Sequence, residues 1–366
     1  MMKGYMDKRI TDAIKGCALI CMFVHHFFTF PNWYIEGVSY PELTEFAALF
    51  REPLKICVPV FAFLTGYFYF FNTKKSMRYS VQKISDVLVS YWMVYIPLLI
   101  FAVSTKCYRV NAADIFYEML ALKRPIMSFC WYVYFYYCTM LLLPLLSRNT
   151  KAIPFAADIV VWLLLPNIAC IVFIHWNNND LIQQIPQNMK LWFPCVAAGY
   201  LFAKHKLFDL FDSFLGNTKP YWNILLYVLL IIGSAMGRYV CDSFTIGSIL
   251  VRDIPYNLTF SMDIVYSPIF IYGLAKLLQC VKISWILKLL GELGKKSLVM
   301  WFVHCCFFSC CSPLTQKILY FPKNPILVTI FGLLLCYVAA VLFSYVIDPV
   351  LKRKNAFLRG GKKTAE

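Results

Sequence analysis

The chain has 366 residues, of which 60% are hydrophobic and 15% are charged. Soluble domains average about 45–50% apolar and about a quarter charged residues, so this composition excludes a soluble protein and predicts a polytopic membrane protein surrounded by a lipid bilayer. The net charge is +16. It does not indicate a nucleic-acid partner, because most basic residues stand in short stretches between apolar segments, where they set membrane topology.

The first apolar stretch carries Asp12 and Lys15 near its start and two adjacent histidines near its end. At about 100° per residue, Lys15 and His26 are about 1100° apart, so they share a helix face and lie about 16 Å apart along the axis. His25 lies about 80° away from Lys15 around the same helix. Ionisable residues inside a membrane span are functional candidates by default.

The apolar segments that follow are long enough to predict an all-α fold of about ten transmembrane helices, at about 20 residues per span. The predicted spans are residues 12–30, 55–71, 86–103, 129–147, 157–174, 190–204, 222–240, 262–280, 296–312 and 326–347. A short interfacial helix is predicted at residues 112–122. The loops are too short for a soluble extracytoplasmic domain, so one membrane domain is predicted over residues 1–366.

Basic residues alternate from loop to loop, which predicts that both termini are cytoplasmic. The first loop is acidic, with Glu36 and Glu42. The basic loops follow the second, fourth, sixth and eighth spans, and they include Lys74, Lys75, Arg78, Lys83, Arg148, Lys151, Lys204, Lys206, Lys219, Lys282, Lys288, Lys295 and Lys296.

Fifteen cysteines are present, many of them inside apolar segments, where cysteine behaves as a small hydrophobic residue. The cysteines between Cys305 and Cys311 are a possible binding site for a soft metal ion, but the sequence shows no cluster of further ligands to support it. The sequence therefore predicts neither a disulfide framework nor a metal site.

Four stretches carry a family resemblance. In chain order they are Asp12-x-x-Lys15-Gly16 with His26, residues 58–68 with Thr65-Gly66, residues 192–204 with Gly199 and Lys204, and residues 290–304 with Gly291, Gly294, Ser297 and His304. Their order and spacing resemble the membrane-bound acyltransferase-3 family, which O-acylates cell-surface polysaccharides and related glycans. The resemblance covers nearly the whole chain, although each stretch alone is mostly apolar.

The resemblance implies particular roles for residues near the first and third helices. The family places a basic residue, often arginine, eleven positions before an essential histidine, and these positions are Lys15 and His26 here. Lysine departs from that pattern because it lacks the planar fork of arginine. The family's R-x-R pair before the third helix is absent, and Arg78 and Lys83 are the residues expected to share its duty.

The implied reaction is acyl transfer, with acetyl as the commonest group, from a cytoplasmic acyl-coenzyme A to a glycan hydroxyl. An imidazole suits the role of general base, and His26 is the candidate for it, with Lys15 and Asp12 as the other catalytic residues. A variant of this mechanism passes through a transient acyl-histidine. Cations would bind the donor phosphates by charge. The donor candidates are Lys74, Lys75, Arg78 and Lys83, and the acceptor candidates are His304, Trp131, Tyr132 and His25.

Each candidate also has a purely structural interpretation. Lys15 would snorkel to the inner interface and pair with Asp12, and His25 would pack against a neighbouring helix. His304 either positions the acceptor or bonds a neighbouring helix. The resemblance implies a bacterial inner membrane and a polysaccharide or lipid-linked acceptor, with the oligomeric state open.

Two other functions stay open at the level of sequence. One is a transporter or flippase for a glycan or lipid, for which paired broken helices would be typical. The other is a non-catalytic membrane subunit that kept the fold, which the lysine at position 15 and the missing R-x-R pair leave open.

Overall fold

A computed structural model describes residues 6–29, 50, 53–148, 153–177, 179–215, 220–243, 258–280 and 284–360. The regular structure in these ranges is helical. The helices are α1 Lys8–Thr29, α2 Cys57–Phe71, α3 Met77–Ser104, α4 Ala112–Met119, α5 Trp131–Ser147, α6 Phe155–Trp176, α7 Asp180–Lys204, α8 Leu207–Leu215, α9 Pro220–Ser243, α10 Leu258–Cys280, α11 Ser284–His304, α12 Ser312–Leu319 and α13 Pro325–Gly360. The loop residues Glu36, Glu42, Lys151, Lys219 and Lys282 lie outside the described ranges.

Within the described ranges, six segments are long and apolar enough to cross a membrane: those of α1, α2, α3, α6, α9 and α13. Helices α11 and α12 pass the same test only together, with a bend of 113° between them. The all-helical, multi-pass prediction is therefore confirmed, whereas the number ten and the side on which the termini lie stay predictions. Helices α7 and α10 are not among the six.

Helix α11 begins at Ser284 rather than near residue 296. Lys288, Lys295 and Lys296, which the sequence analysis placed in a loop, are therefore part of a continuous helix that ends at His304. A short 3₁₀ turn over Cys305–Phe308 follows, and the chain then bends into α12. The predicted ninth span, 296–312, thus ends in a break.

The chain divides into two compact units. Unit 1 comprises Met1–Thr29, Leu43–Ser76 and Leu141–Lys295, and unit 2 comprises Phe30–Glu42, Met77–Met140 and Lys296–Glu366. The expectation of a single domain over the whole chain stays a prediction.

In unit 1, α2 and α7 cross with their backbones in contact. A Cβ atom built on Gly66 would lie 1.8 Å from the Val196 carbonyl oxygen, and one built on Gly199 would lie 2.0 Å from the Phe63 carbonyl oxygen. Small residues permit this approach between membrane helices. The second and third stretches of the family resemblance therefore contact each other.

In unit 2, the predicted interfacial helix is present as α4 and is fastened to α3 by side-chain donors. Tyr91 Oη donates to the Glu118 carbonyl oxygen at 2.8 Å, and Trp92 Nε1 donates to the Met119 carbonyl oxygen at 2.8 Å. The last carbonyls of a helix have no partner within it. These two bonds satisfy the last two carbonyls of α4, and Asn111 caps the other end by accepting from the Ala113 amide at 3.0 Å.

Candidate active site

The entrance of α1 holds a buried carboxylate between two lysines. Asp12 is 6% exposed; its Oδ2 lies 2.8 Å from Lys8 Nζ, and its Oδ1 lies 3.7 Å from Lys15 Nζ. The pairing of Lys15 with Asp12 follows from their spacing of three residues on one helix. The structure thus brings together two of the three predicted catalytic residues.

The backbone of α11 covers this part of α1. A Cβ atom on Gly16 would lie 2.1 Å from the Leu290 carbonyl oxygen, and one on Gly294 would lie 1.8 Å from the Asp12 carbonyl oxygen. Neither position admits a side chain without separating the helices. The first and fourth stretches of the resemblance therefore pack together at the level of Asp12 and Lys15.

The two histidines of α1 differ in exposure. His25 is 6% exposed and His26 is half-buried, with their ring centroids 5.4 Å apart. Lys15 and His26 lie on one face, about three turns apart. The partly accessible ring is therefore the one that shares the face of the lysine.

His304 is fully buried in unit 2, at the last residue of α11. Its Nδ1 bonds the Trp301 carbonyl oxygen, which accepts only, so Nδ1 carries a hydrogen and the lone pair of a neutral ring lies on Nε2. The ring stacks on Phe129 with centroids 6.0 Å apart at an interplanar angle of 13°. These contacts hold the His304 ring between α11 and the residues before α5.

The predicted aromatic pair belongs to the same surroundings. The rings of Trp131 and Tyr132 are 5.8 Å apart, and Tyr132 meets Trp301 edge to face at 5.8 Å. Trp301 lies one turn before His304 on α11. The structure therefore places three predicted acceptor-binding residues, Trp131, Tyr132 and His304, in one aromatic cluster of unit 2.

The four predicted donor cations fall into two pairs. Lys74 is exposed, and Lys75 Nζ lies 4.6 Å from the Phe70 ring centroid and 5.4 Å from that of Tyr200, all in unit 1. Arg78 and Lys83 belong to unit 2, on α3. Lys75 is thus stabilised by ring faces, in the manner of a cation–π contact.

The sequence analysis missed a buried ion pair in unit 1. Arg238 of α9 and Asp263 of α10 are both fully buried, with Nε to Oδ1 at 2.5 Å and Nη2 to Oδ2 at 2.9 Å. This bidentate geometry is the strong form of the arginine–carboxylate contact. The signal was present, since each residue is an ionisable group inside a predicted span.

A second missed cluster lies where α6 meets the end of α7. Asp158 is fully buried; its Oδ2 bonds Lys204 Nζ and lies 2.7 Å from His205 Nε2. One turn further along α6, Trp162 stacks on Tyr200 with centroids 3.9 Å apart. These contacts hold an otherwise exposed helix against α7, since buried charges need partners.

No group of three or more histidine, cysteine, aspartate or glutamate side chains in the described residues has the geometry of a metal site. The expectation that no metal takes part stays a prediction.

The fold and the charged first helix define an all-helical, multi-pass membrane protein with an ionisable face inside α1. A protein-family model described as an acyltransferase domain matches residues 10–347. The chain therefore belongs to the acyltransferase-3 family, as the resemblance predicted, and it is an acyltransferase. Searches of curated proteins and of solved structures found no significant match.

Proposed function

We propose that the protein transfers an acyl group, with acetyl as the commonest group, from an acyl-coenzyme A to a hydroxyl of a cell-surface or lipid-linked polysaccharide. The hydroxyl oxygen attacks the thioester carbonyl carbon, the carbon–sulfur bond breaks, and the thiolate leaves with coenzyme A. His26 takes the proton of the hydroxyl as general base. In the variant with an acyl-histidine, His26 attacks first and the hydroxyl then attacks the acyl-imidazole.

The observation that carries this proposal is the arrangement of α1. A half-buried His26 shares a face with Lys15, whose partner Asp12 is buried under the bare backbone of α11. Close packing of α1 against α11 positions the helix that carries these groups, which favours acid–base chemistry. Membership of an acyltransferase family supports the same assignment.

The donor and acceptor follow from the remaining candidates. Lys74, Lys75, Arg78 and Lys83 are proposed to bind the phosphates of the donor at the cytoplasmic side, because each is a cation near the start of α3. The aromatic cluster of Trp131, Tyr132 and His304 offers ring faces to a sugar, and His25 is the fourth residue proposed to bind the acceptor. The proposed location is the inner membrane of a bacterium.

The test is a glycan assay with a matched pair of variants. His26→Ala should abolish acylation of the surface glycan in cells that lack the wild-type chain, as measured by the loss of one ester in the glycan structure. His175→Ala, at an exposed position near the end of α6, is the control and should acylate normally. Normal acylation by the His26 variant would exclude both versions of the mechanism.

One observation favours the alternative of a transporter or flippase. The break between α11 and α12, with its bend of 113°, is a discontinuous span of the kind that lines transport paths. Binding of acetyl-coenzyme A by the purified protein separates the two functions, since a glycan transporter needs no thioester. The same measurement tests the hypothesis of a non-catalytic subunit, which would not bind acetyl-coenzyme A.

A further inference from the structure

The start of α3 and the end of α13 are joined by polar side chains in unit 2, and we call this contact the α3–α13 junction. Five hydrogen bonds form it, among them Arg78 Nη2 to the Leu358 carbonyl oxygen at 3.1 Å, Gln82 Nε2 to Asn355 Oδ1 at 2.9 Å, and Lys354 Nζ to Asp86 Oδ1 at 2.5 Å. The α3 residues are four apart and share one face. The two helices therefore run antiparallel along this seam.

The junction carries more positive than negative charge. Lys83 Nζ lies 3.4 Å from Asp86 Oδ2, so one carboxylate serves both Lys83 and Lys354. Arg78 bonds a neutral carbonyl, which leaves its charge uncompensated by that contact. Three cations against one carboxylate leave a local positive charge of two, which favours the binding of an anion.

A soluble ligand has access to these side chains. Lys83 is 42% exposed, and Asp86 and Lys354 are 18% and 20% exposed. Helix α13 has 36 residues, so its length of about 54 Å exceeds a hydrocarbon core of about 30 Å by several turns. The junction therefore lies at the polar end of α13, on the side that the loop charges predict to be cytoplasmic.

We propose that the α3–α13 junction binds a phosphate monoester of the acyl donor, the 3′-phosphate of coenzyme A, through Arg78, Lys83 and Lys354, and that Asp86 is the carboxylate that the phosphate displaces. A phosphate monoester carries a charge of about −1.5 to −2 at neutral pH, which matches the excess positive charge of the junction. Arginine holds two phosphate oxygens with its fork, and the lysines act as point charges. The C-terminal part of α13 thus completes a donor site that α3 begins. This inference rests on the proposed function, in which the donor is a coenzyme A thioester.

The first experiment compares two charge-removing variants on one helix. The dissociation constants of acetyl-coenzyme A and of acetyl-3′-dephospho-coenzyme A are measured by calorimetry on the full-length protein in detergent. Lys354→Gln should weaken binding of acetyl-coenzyme A about tenfold, because the substitution removes a charge-assisted hydrogen bond to the 3′-phosphate. The dissociation constant of the dephospho donor, which has no such phosphate, should be unchanged. Lys352→Gln, at an exposed position two residues earlier, should change both constants less than twofold.

Equal effects of the two substitutions, or an equal loss for both donors, would overturn the site. Absence of acetyl-coenzyme A binding by the wild-type protein would overturn the donor itself and this site with it. Normal wild-type binding that Lys354→Gln leaves unaltered would overturn the site alone, so the two failures are distinguishable.

The second experiment uses a variant that is expected to gain affinity. Asp86→Asn removes the competing carboxylate and should tighten binding of acetyl-coenzyme A about threefold or more. A junction that only fastened α3 to α13 would show no such gain, and weaker binding by a variant with an unchanged melting temperature would contradict the proposal.

Lipid headgroups carry the same phosphate chemistry, so the source is tested separately. Wild type and Lys354→Gln are compared in nanodiscs of phosphatidylcholine with and without phosphatidylglycerol. The proposal predicts that Lys354→Gln weakens donor binding in both membranes. If Lys354→Gln retained less phosphatidylglycerol than the wild type but bound the donor equally well, the junction would be a lipid-binding site and the donor site would be overturned.

Discussion

The Arg238–Asp263 pair of unit 1 and the α3–α13 junction of unit 2 use the same residue types in opposite ways. The first pairs one cation with one carboxylate, bidentate and fully buried. The second sets Arg78, Lys83 and Lys354 around a single carboxylate, with side chains partly exposed. A balanced buried pair has no charge to offer a ligand and holds helices together, whereas an unbalanced accessible cluster is available to an anion.

The same contrast applies to how each unit fastens its helices. Unit 1 uses bare backbone contact at Gly16, Gly66, Gly199 and Gly294, together with buried ion pairs such as Arg238–Asp263. Unit 2 uses hydrogen bonds from tyrosine, tryptophan and lysine side chains. Changes in unit 1 should therefore cost stability, and changes in unit 2 should be tolerated or depend on pH.

The largest effect is expected from Arg238→Ala. It removes the bidentate partner of the buried Asp263 carboxylate, so the free energy of unfolding should fall by about 3–5 kcal/mol. Chemical unfolding in detergent measures this. The double variant Arg238→Ala, Asp263→Ala should recover much of the loss because both members of the ion pair are then absent, and a single variant as stable as wild type would remove the distinction between the two regions.

The next effect is expected from Gly294→Ala. The new methyl group would lie 1.8 Å from the Asp12 carbonyl oxygen, so α1 and α11 must separate, at about 1–3 kcal/mol of stability. Gly291→Ala is the matched control on the same helix, since nothing lies within 4 Å of its Cβ position. That control should be neutral or up to about 1 kcal/mol more stable through helix propensity. Similar melting temperatures for the two variants would argue against backbone contact.

A smaller, pH-dependent effect is expected at Glu118. Its carboxyl accepts from Tyr108 Oη at 2.6 Å and Tyr95 Oη at 3.1 Å, and burial raises its pKa above the ordinary value of about 4.5. The folded state therefore favours the protonated form. Its contribution to stability is full below about pH 4.5 and is lost as the pH rises through the raised pKa of the folded state.

Hydrogen exchange of the α4 amides between pH 4 and pH 8 measures this dependence. Protection of α4 should fall as the pH rises in the wild-type protein. Glu118→Gln keeps an acceptor without a titrating group and should show a flat profile, whereas a wild-type profile that rises with pH would contradict the sign.

The smallest effect on stability is expected from Lys83→Gln. Its pair with Asp86 is 3.4 Å long and half-exposed, and exposed ion pairs contribute about 0–1 kcal/mol. The melting temperature should therefore stay close to that of the wild type. A loss of stability as large as that from Arg238→Ala would show that the junction holds the helices together, and the two regions would then not differ in role.

Part of the candidate site was predictable because it is local in sequence. The Asp12–Lys15 pair follows from helical spacing alone, whereas the different exposure of His25 and His26 depends on which helices cover each face of α1. The break after His304 was not predicted, because the apolar run through Cys305 and Phe308 continues past it and hydropathy does not register a bend. The start of α11 was misplaced because its lysines were interpreted as a loop.

The sequence by itself determined the membrane class, the helical composition, the family and the charged face of α1, because hydropathy and helical phase are properties of neighbouring residues. Only the tertiary structure decided which charges are neutralised. Asp86 meets Lys354 and Asp158 meets Lys204 across 268 and 46 positions of the chain, and Arg238 finds Asp263 on another helix. Such partners are set by how helices pack. The sequence does not distinguish a cation that is paired with a buried carboxylate from a cation whose charge is available to bind a ligand.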